Sequence, residues 1–215
     1  MKKKLVLVCT VVALVAILIT GSTLAYFTSE SEKKTNTFTI GTGVDIDIDE
    51  GDEWEPEDDH PLFPGTRYGK APTVTNTGDV DCYTRFIVEV TKSEEIDQIV
   101  ANYVARKQAT DPSFTFDVTA LLENFTADDW DITVDRTDAT KTVYSCIYTK
   151  AALASGEKAT LFTAITFPDD LASEDLLDAS GDPILSGDFD IIIQGQAIQA
   201  AEFTDAVDAF TNGWE

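Results

Sequence analysis

Between residues 44 and 49 the chain alternates strictly, Val44-Asp45-Ile46-Asp47-Ile48-Asp49, one apolar side chain for each acidic one. Successive side chains of an extended strand point to opposite faces, so this segment can bury its three apolar residues and keep its three carboxylates in water only as a half-buried β-strand. Further strand signals follow at Thr73–Asn76, 83–91, 130–134, 143–148, 160–167 and 189–198. Turn sequences such as Asn76-Thr77-Gly78-Asp79, Ser155-Gly156 and Gly181-Asp182-Pro183 punctuate them. One helix stands out. Ser93 is placed as its N-cap, Glu94 and Glu95 fill the first turn, and Ile96, Ile99, Val100, Tyr103 and Val104 share a face, with Arg106 and Lys107 at the C-terminal end. A shorter helix is expected over 204–212, closed by Gly213. Many strands and few helices define an all-β chain, a jelly-roll-like antiparallel β-sandwich with one or two helical insertions.

The N-terminus follows a different rule. Met1-Lys2-Lys3-Lys4 precedes an apolar run from Leu5 to Ile19 broken only by Thr10, and small side chains then stand at Thr23 and Ala25. That is the layout of an export signal cut after Ala25, with Tyr26 as the new N-terminus. An uncleaved anchor is the rival reading, but the apolar core is shorter than the roughly 20 residues that span a bilayer. The expected organisation is a signal peptide at 1–25, an N-terminal arm at 26–40 and a single β-sandwich domain at 41–215. The arm is polar behind Tyr26-Phe27, and Phe38 and Ile40 alternate with threonines at its end.

The full chain of 215 residues has a net charge of −24. Without Lys2, Lys3 and Lys4, 12 basic residues face 39 acidic ones, a net charge of −27. Such a surface repels nucleic acid and anionic membranes, and copies can pack together only when protons, salt or cations screen them. Two cysteines, Cys82 and Cys146, lie beyond the signal. Export permits a disulfide between them, and two half-buried thiols are the alternative.

Candidate catalytic groups are scarce. His60, the single histidine, lies in an acidic loop, and no His-Glu-x-x-His helix is present. Ser155 and Lys158 match the bare Ser-x-x-Lys spacing without its partner motifs. Asp45, Asp47 and Asp49 open like a calcium loop, but Glu50 stands where glycine must turn and Pro56 where the bidentate glutamate belongs. A looser calcium contact over 52–59 competes with a solvated acidic loop. Trp54 and Trp130 would be the binding platforms of a monomeric surface module. No catalytic residue, metal ligand or cofactor is expected.

Three stretches together resemble the TasA/camelysin family of secreted biofilm-matrix proteins. Thr23-Leu24-Ala25-Tyr26-Phe27-Thr28-Ser29, with Asn36 to Gly41 and Val44-Asp45-Ile46, is similar to the family's processing region, read by a dedicated signal peptidase. Pro64-Gly65, Lys70 to Gly78 and Asp81-Cys82-Tyr83-Thr84-Arg85 resemble its central strands, and Ala197-Ile198-Gln199-Ala200 its C-terminal strand. The resemblance implies a jelly-roll sandwich and, for the best understood members, matrix fibres in which the N-terminal arm of one subunit completes the sheet of the next. It also carries a metallopeptidase label, and a surface protease is the lesser alternative. The expected partner is a second copy of the chain, head to tail, with other matrix proteins beyond it, outside the cell or at its surface. Tyr26, Phe27, Phe38 and Ile40 would be the side chains of the assembly arm.

Overall fold

The computed structural model describes residues 43–54 and 63–214, with the backbone of 28–30. The alternation at 44–49 resolves as required. Val44 and Ile46 are buried, Asp45, Asp47 and Asp49 are exposed, and Ile46–Asp49 forms β2. The other strands are β1 (Thr28–Glu30), β3 (Arg67–Tyr68), β4 (Thr73–Asn76), β5 (Cys82–Thr91), β6 (Leu122–Glu123), β7 (Trp130–Asp135), β8 (Lys141–Tyr148), β9 (Lys158–Thr160), β10 (Ala164–Thr166) and β11 (Ile191–Gln199). Among the described residues the α-helices are α1 (Ser93–Gln108) and α2 (Ala206–Asn212).

The strands form three antiparallel sheets: a five-stranded one in the order β1-β11-β5-β8-β7, and two three-stranded ones, β2-β4-β9 and β3-β10-β6. On β5 the residues Cys82, Thr84, Phe86 and Val88 turn inward and meet Ile46, Val74, Trp130 and Leu161 in the main core. The opposite face is covered at one end by α2, where Ala206, Ala209 and Phe210 pack with Ile147, Ile198 and Tyr83. The result is the expected all-β sandwich with two helical insertions.

Close approach between the sheets has a local cause. Gly195 sits in the interior of β11, and a Cβ there would lie 2.2 Å from Cδ1 of Ile48. Glycine in a strand interior forgoes packing of its own, and here it lets β2 settle onto the larger sheet.

Several boundaries differ from expectation for physical reasons. The run expected as one strand over 160–167 divides, because β9 ends at Thr160 and the chain crosses the core before β10 begins at Ala164. Leu161 and Phe162 are both buried during the crossing, and Leu161 N–H donates to the Pro72 carbonyl. Ser93 is not the cap of α1. It is the first helical residue, Lys92 turns the chain at φ 54°, and Ser93 Oγ donates to the Ala139 carbonyl. The acidic first turn and basic last turn of α1 are as expected. α2 has a true cap, since Asp205 accepts from the Asp208 N–H at 2.8 Å, and Gly213 closes it. The strands β1, β3 and β6 are too short to leave a periodic signal.

Candidate assembly edge

β11 has β5 on one side and β1 on the other. The longer ladder runs from Ile191 opposite Val90 to Gln199 opposite Cys82. The shorter one pairs Thr28 with Ile198, Ser29 with Ala197 and Glu30 with Gln196, antiparallel. Without β1, the outer backbone donors and acceptors of β11 would form an open sheet edge, the kind of surface that accepts another strand.

β11 is packed on both faces near this edge. Ala197 and Ile198 are fully buried. Arg85 Nε donates to Gln196 Oε1 at 2.6 Å, while its guanidinium lies 4.6 Å from the ring centre of Phe210 and 5.1 Å from that of Trp214. Neither Arg85 nor Gly195 was singled out as part of this edge from the sequence. The isolated glycine between Gln194 and Gln196 is a signal that could have marked the close approach.

Of the residues expected to matter, Thr23, Ala25, Tyr26, Phe27, Phe38, Ile40 and His60 lie outside the described residues, as does most of the acidic loop at 52–59. The cysteines are described, and the bridge that export would permit does not form. Both are free and buried. Phe86 is the residue opposite Cys146, so Cys82, four residues along β5, stands roughly 13 Å away along the strand, beyond disulfide reach. Burial pushes each thiol up to about 12.

The tryptophans are committed to the fold. Trp130 is buried between Phe86 and Tyr148, with ring centres at 5.8 and 5.1 Å. Trp54 lies 4.0 Å beneath the ammonium of Lys70, a buried lysine that also pairs with Glu50. Nothing in the periodicity flagged Lys70, because a lysine is almost never fully buried unless paired.

The family model described as camelysin metallo-endopeptidase matches residues 1–175. The chain belongs to the camelysin metallo-endopeptidase family. The match ends before β11, so that strand lies outside the segment that carries camelysin membership. No curated protein and no solved structure matched. The family description implies a metal, and the described residues do not fit one. Among them no three His, Cys, Asp or Glu side chains converge, and the two buried thiols are held far from the thiolate form that binds metal.

Proposed function

We propose that this camelysin-family protein is a secreted structural subunit of extracellular fibres of the biofilm-matrix kind, assembling by donor-strand exchange, rather than a peptidase. The arm at 26–40 of one copy takes the outer edge of β11 in the next. The supporting observation is the ladder of β1 on β11, three residue pairs long. A short edge strand can be exchanged for the same strand of another copy at little net cost, because the bonds broken and formed are alike. Head-to-tail donation does not close on itself and propagates as a filament.

Removal of residues 1–25 would free the arm, coupling export to assembly. The charge of −27 restrains association until it is screened. Deletion of residues 26–35 should leave a β-rich monomer by circular dichroism that forms no fibres under the electron microscope. Fibres of normal width from the truncated chain would refute the mechanism. Casein digestion that disappears with a chelator would instead support the protease reading.

A further inference from the structure

A cavity of about 810 Å³ opens between α1 and the inner face of the five-stranded sheet. Native packing leaves few gaps larger than a water molecule, and small-molecule pockets run from roughly 300 to 1,000 Å³. Ile96, Ile99 and Val100 of α1 form one wall. Val90, Ile132 and Ile191 of the sheet form another, and the segments at 116–125 and 161–171 close the sides. Among the described residues that line it, Asp117 and Arg136 are the ones that carry charge.

Both charged groups at the cavity, and the Tyr103 hydroxyl, already have partners. Asp117 accepts the Thr119 N–H at 2.9 Å, Arg136 pairs with Asp97, and the Tyr103 hydroxyl donates to Asp170 at 3.0 Å. Arg136 is half-exposed, and beside it Val118 and Val134 line the cavity while remaining 40% and 52% exposed, which marks the mouth. An occupant therefore finds aliphatic and aromatic walls throughout and no charge to neutralise at depth. The strongly acidic chain disfavours an anionic head at the mouth.

We propose that this cavity binds one neutral lipid through a single long, unbranched hydrocarbon chain, with its uncharged polar end at the mouth near Arg136. The site is separate from the β1–β11 ladder, because it draws on Ile191 at the opposite end of β11 from Ile198. It holds whether or not the protein forms fibres.

The test uses the chain expressed from Tyr26, which carries every described element, and the neutral fluorophore N-phenyl-1-naphthylamine. Binding should be saturable with one site per chain. Straight-chain alcohols should displace the probe with affinity rising roughly fourfold per methylene, until the chain outgrows the cavity. At neutral pH a fatty acid of equal length should displace it more weakly. Ile132→Trp and Leu121→Trp, which fill the cavity, should each weaken binding at least tenfold, whereas Val207→Lys on α2 should not. Should a filled variant fail to fold, methyl NMR of the unaltered protein decides: the alcohol should shift Ile99, Ile132 and Ile191 and leave Ile46 and Ile48 in place. Absent or non-saturable binding, unshifted cavity methyls or unaffected filled variants would overturn the proposal. Binding that appears only after residues 26–40 are removed would also overturn it, by assigning the cavity to the chain's own arm.

Discussion

Arg106 grips Asp175 through three hydrogen bonds, from Nε at 2.9 and 3.1 Å and from Nη2 at 2.8 Å. Asp175 is 1% exposed, and its carboxylate also accepts the Ala172 N–H at 2.8 Å. Asn102 donates to the carbonyls of Asp175 and Leu177, so one face of α1 fastens the whole segment around 170–177 to the sandwich. Asp175→Ala removes the carboxylate that Arg106 and the Ala172 N–H share and leaves the Asn102 bonds to the backbone in place. It should cost about 2–3 kcal/mol, the scale of a hydrogen bond to a charged group plus the stranded donors. Asp175→Asn should fall between it and the wild type. Urea denaturation measures both, and an unchanged midpoint for the alanine variant would show that the segment is held by other means.

Gly195 makes a prediction with its own control. Gly195→Ala inserts a methyl group against Ile48, and overpacking of this kind costs about 1–3 kcal/mol. Ile48→Val in the same chain shortens the side chain that the new methyl meets and should recover part of the loss. Thermal unfolding of the two single variants and the double variant tests the contact, and strictly additive losses would mean that the two residues do not press on each other.

Because Cys82 and Cys146 are buried, with thiols pushed up to about 12, neither should react with a water-soluble disulfide reagent in the folded protein. Both should react on unfolding, and a reductant should leave the melting temperature unchanged. Mass spectrometry after labelling counts them. A bridge between them would require a different register between β5 and β8.

Acid acts on this protein in two opposed ways. Hydrogen bonds from Lys107 and then Tyr103 hold the Asp170 carboxyl below its usual range. Thr166 and then Arg67 do the same for Glu123, and the Thr140 N–H for Asp138. A carboxylate with a depressed folded value stabilises the fold above its unfolded value, near pH 4, and that contribution disappears as pH falls through the folded value. Repulsion between copies, by contrast, weakens as soon as the exposed carboxylates begin to protonate. Light scattering should therefore rise between pH 7 and about 5, or with added salt, while the urea midpoint holds. Below about pH 4 the midpoint should fall. Assembly fastest at neutral pH and low salt would contradict the charge argument.

The sequence made the sandwich legible where burial is one-sided. Ile46 and Ile48 against Asp47 and Asp49 announce a strand by period alone, and the strand expected at 83–91 is β5 but for its first residue, Cys82. It was silent where geometry depends on distant partners. Leu161 and Phe162 look like strand residues until the chain is seen crossing the core between two sheets. Lys70 looks solvated until Glu50 and Trp54 close over it. The two cysteines both sit in strands, and only the register, with Cys146 opposite Phe86, shows that they are too far apart to bridge. β11 was visible as a strand, but the fact that β1 lies on its outer edge depends on a pairing between residues 28–30 and 196–198 that no local pattern encodes.

That pairing offers the most direct test of strand exchange. Ser29 and Ala197 are opposite residues of the antiparallel ladder, where Cα atoms stand about 4.5–5.5 Å apart, within the range a disulfide spans. Chains carrying Ser29→Cys alone and chains carrying Ala197→Cys alone, each with a different affinity tag, are mixed under assembling conditions and oxidised. Donor-strand exchange predicts disulfide-linked dimers bearing both tags, recovered from fibres and mapped to residues 29 and 197 by mass spectrometry. If the mixed chains give no such dimer, while a chain carrying both substitutions closes a bridge within itself, β1 stays on its own β11 and the fibre mechanism is wrong.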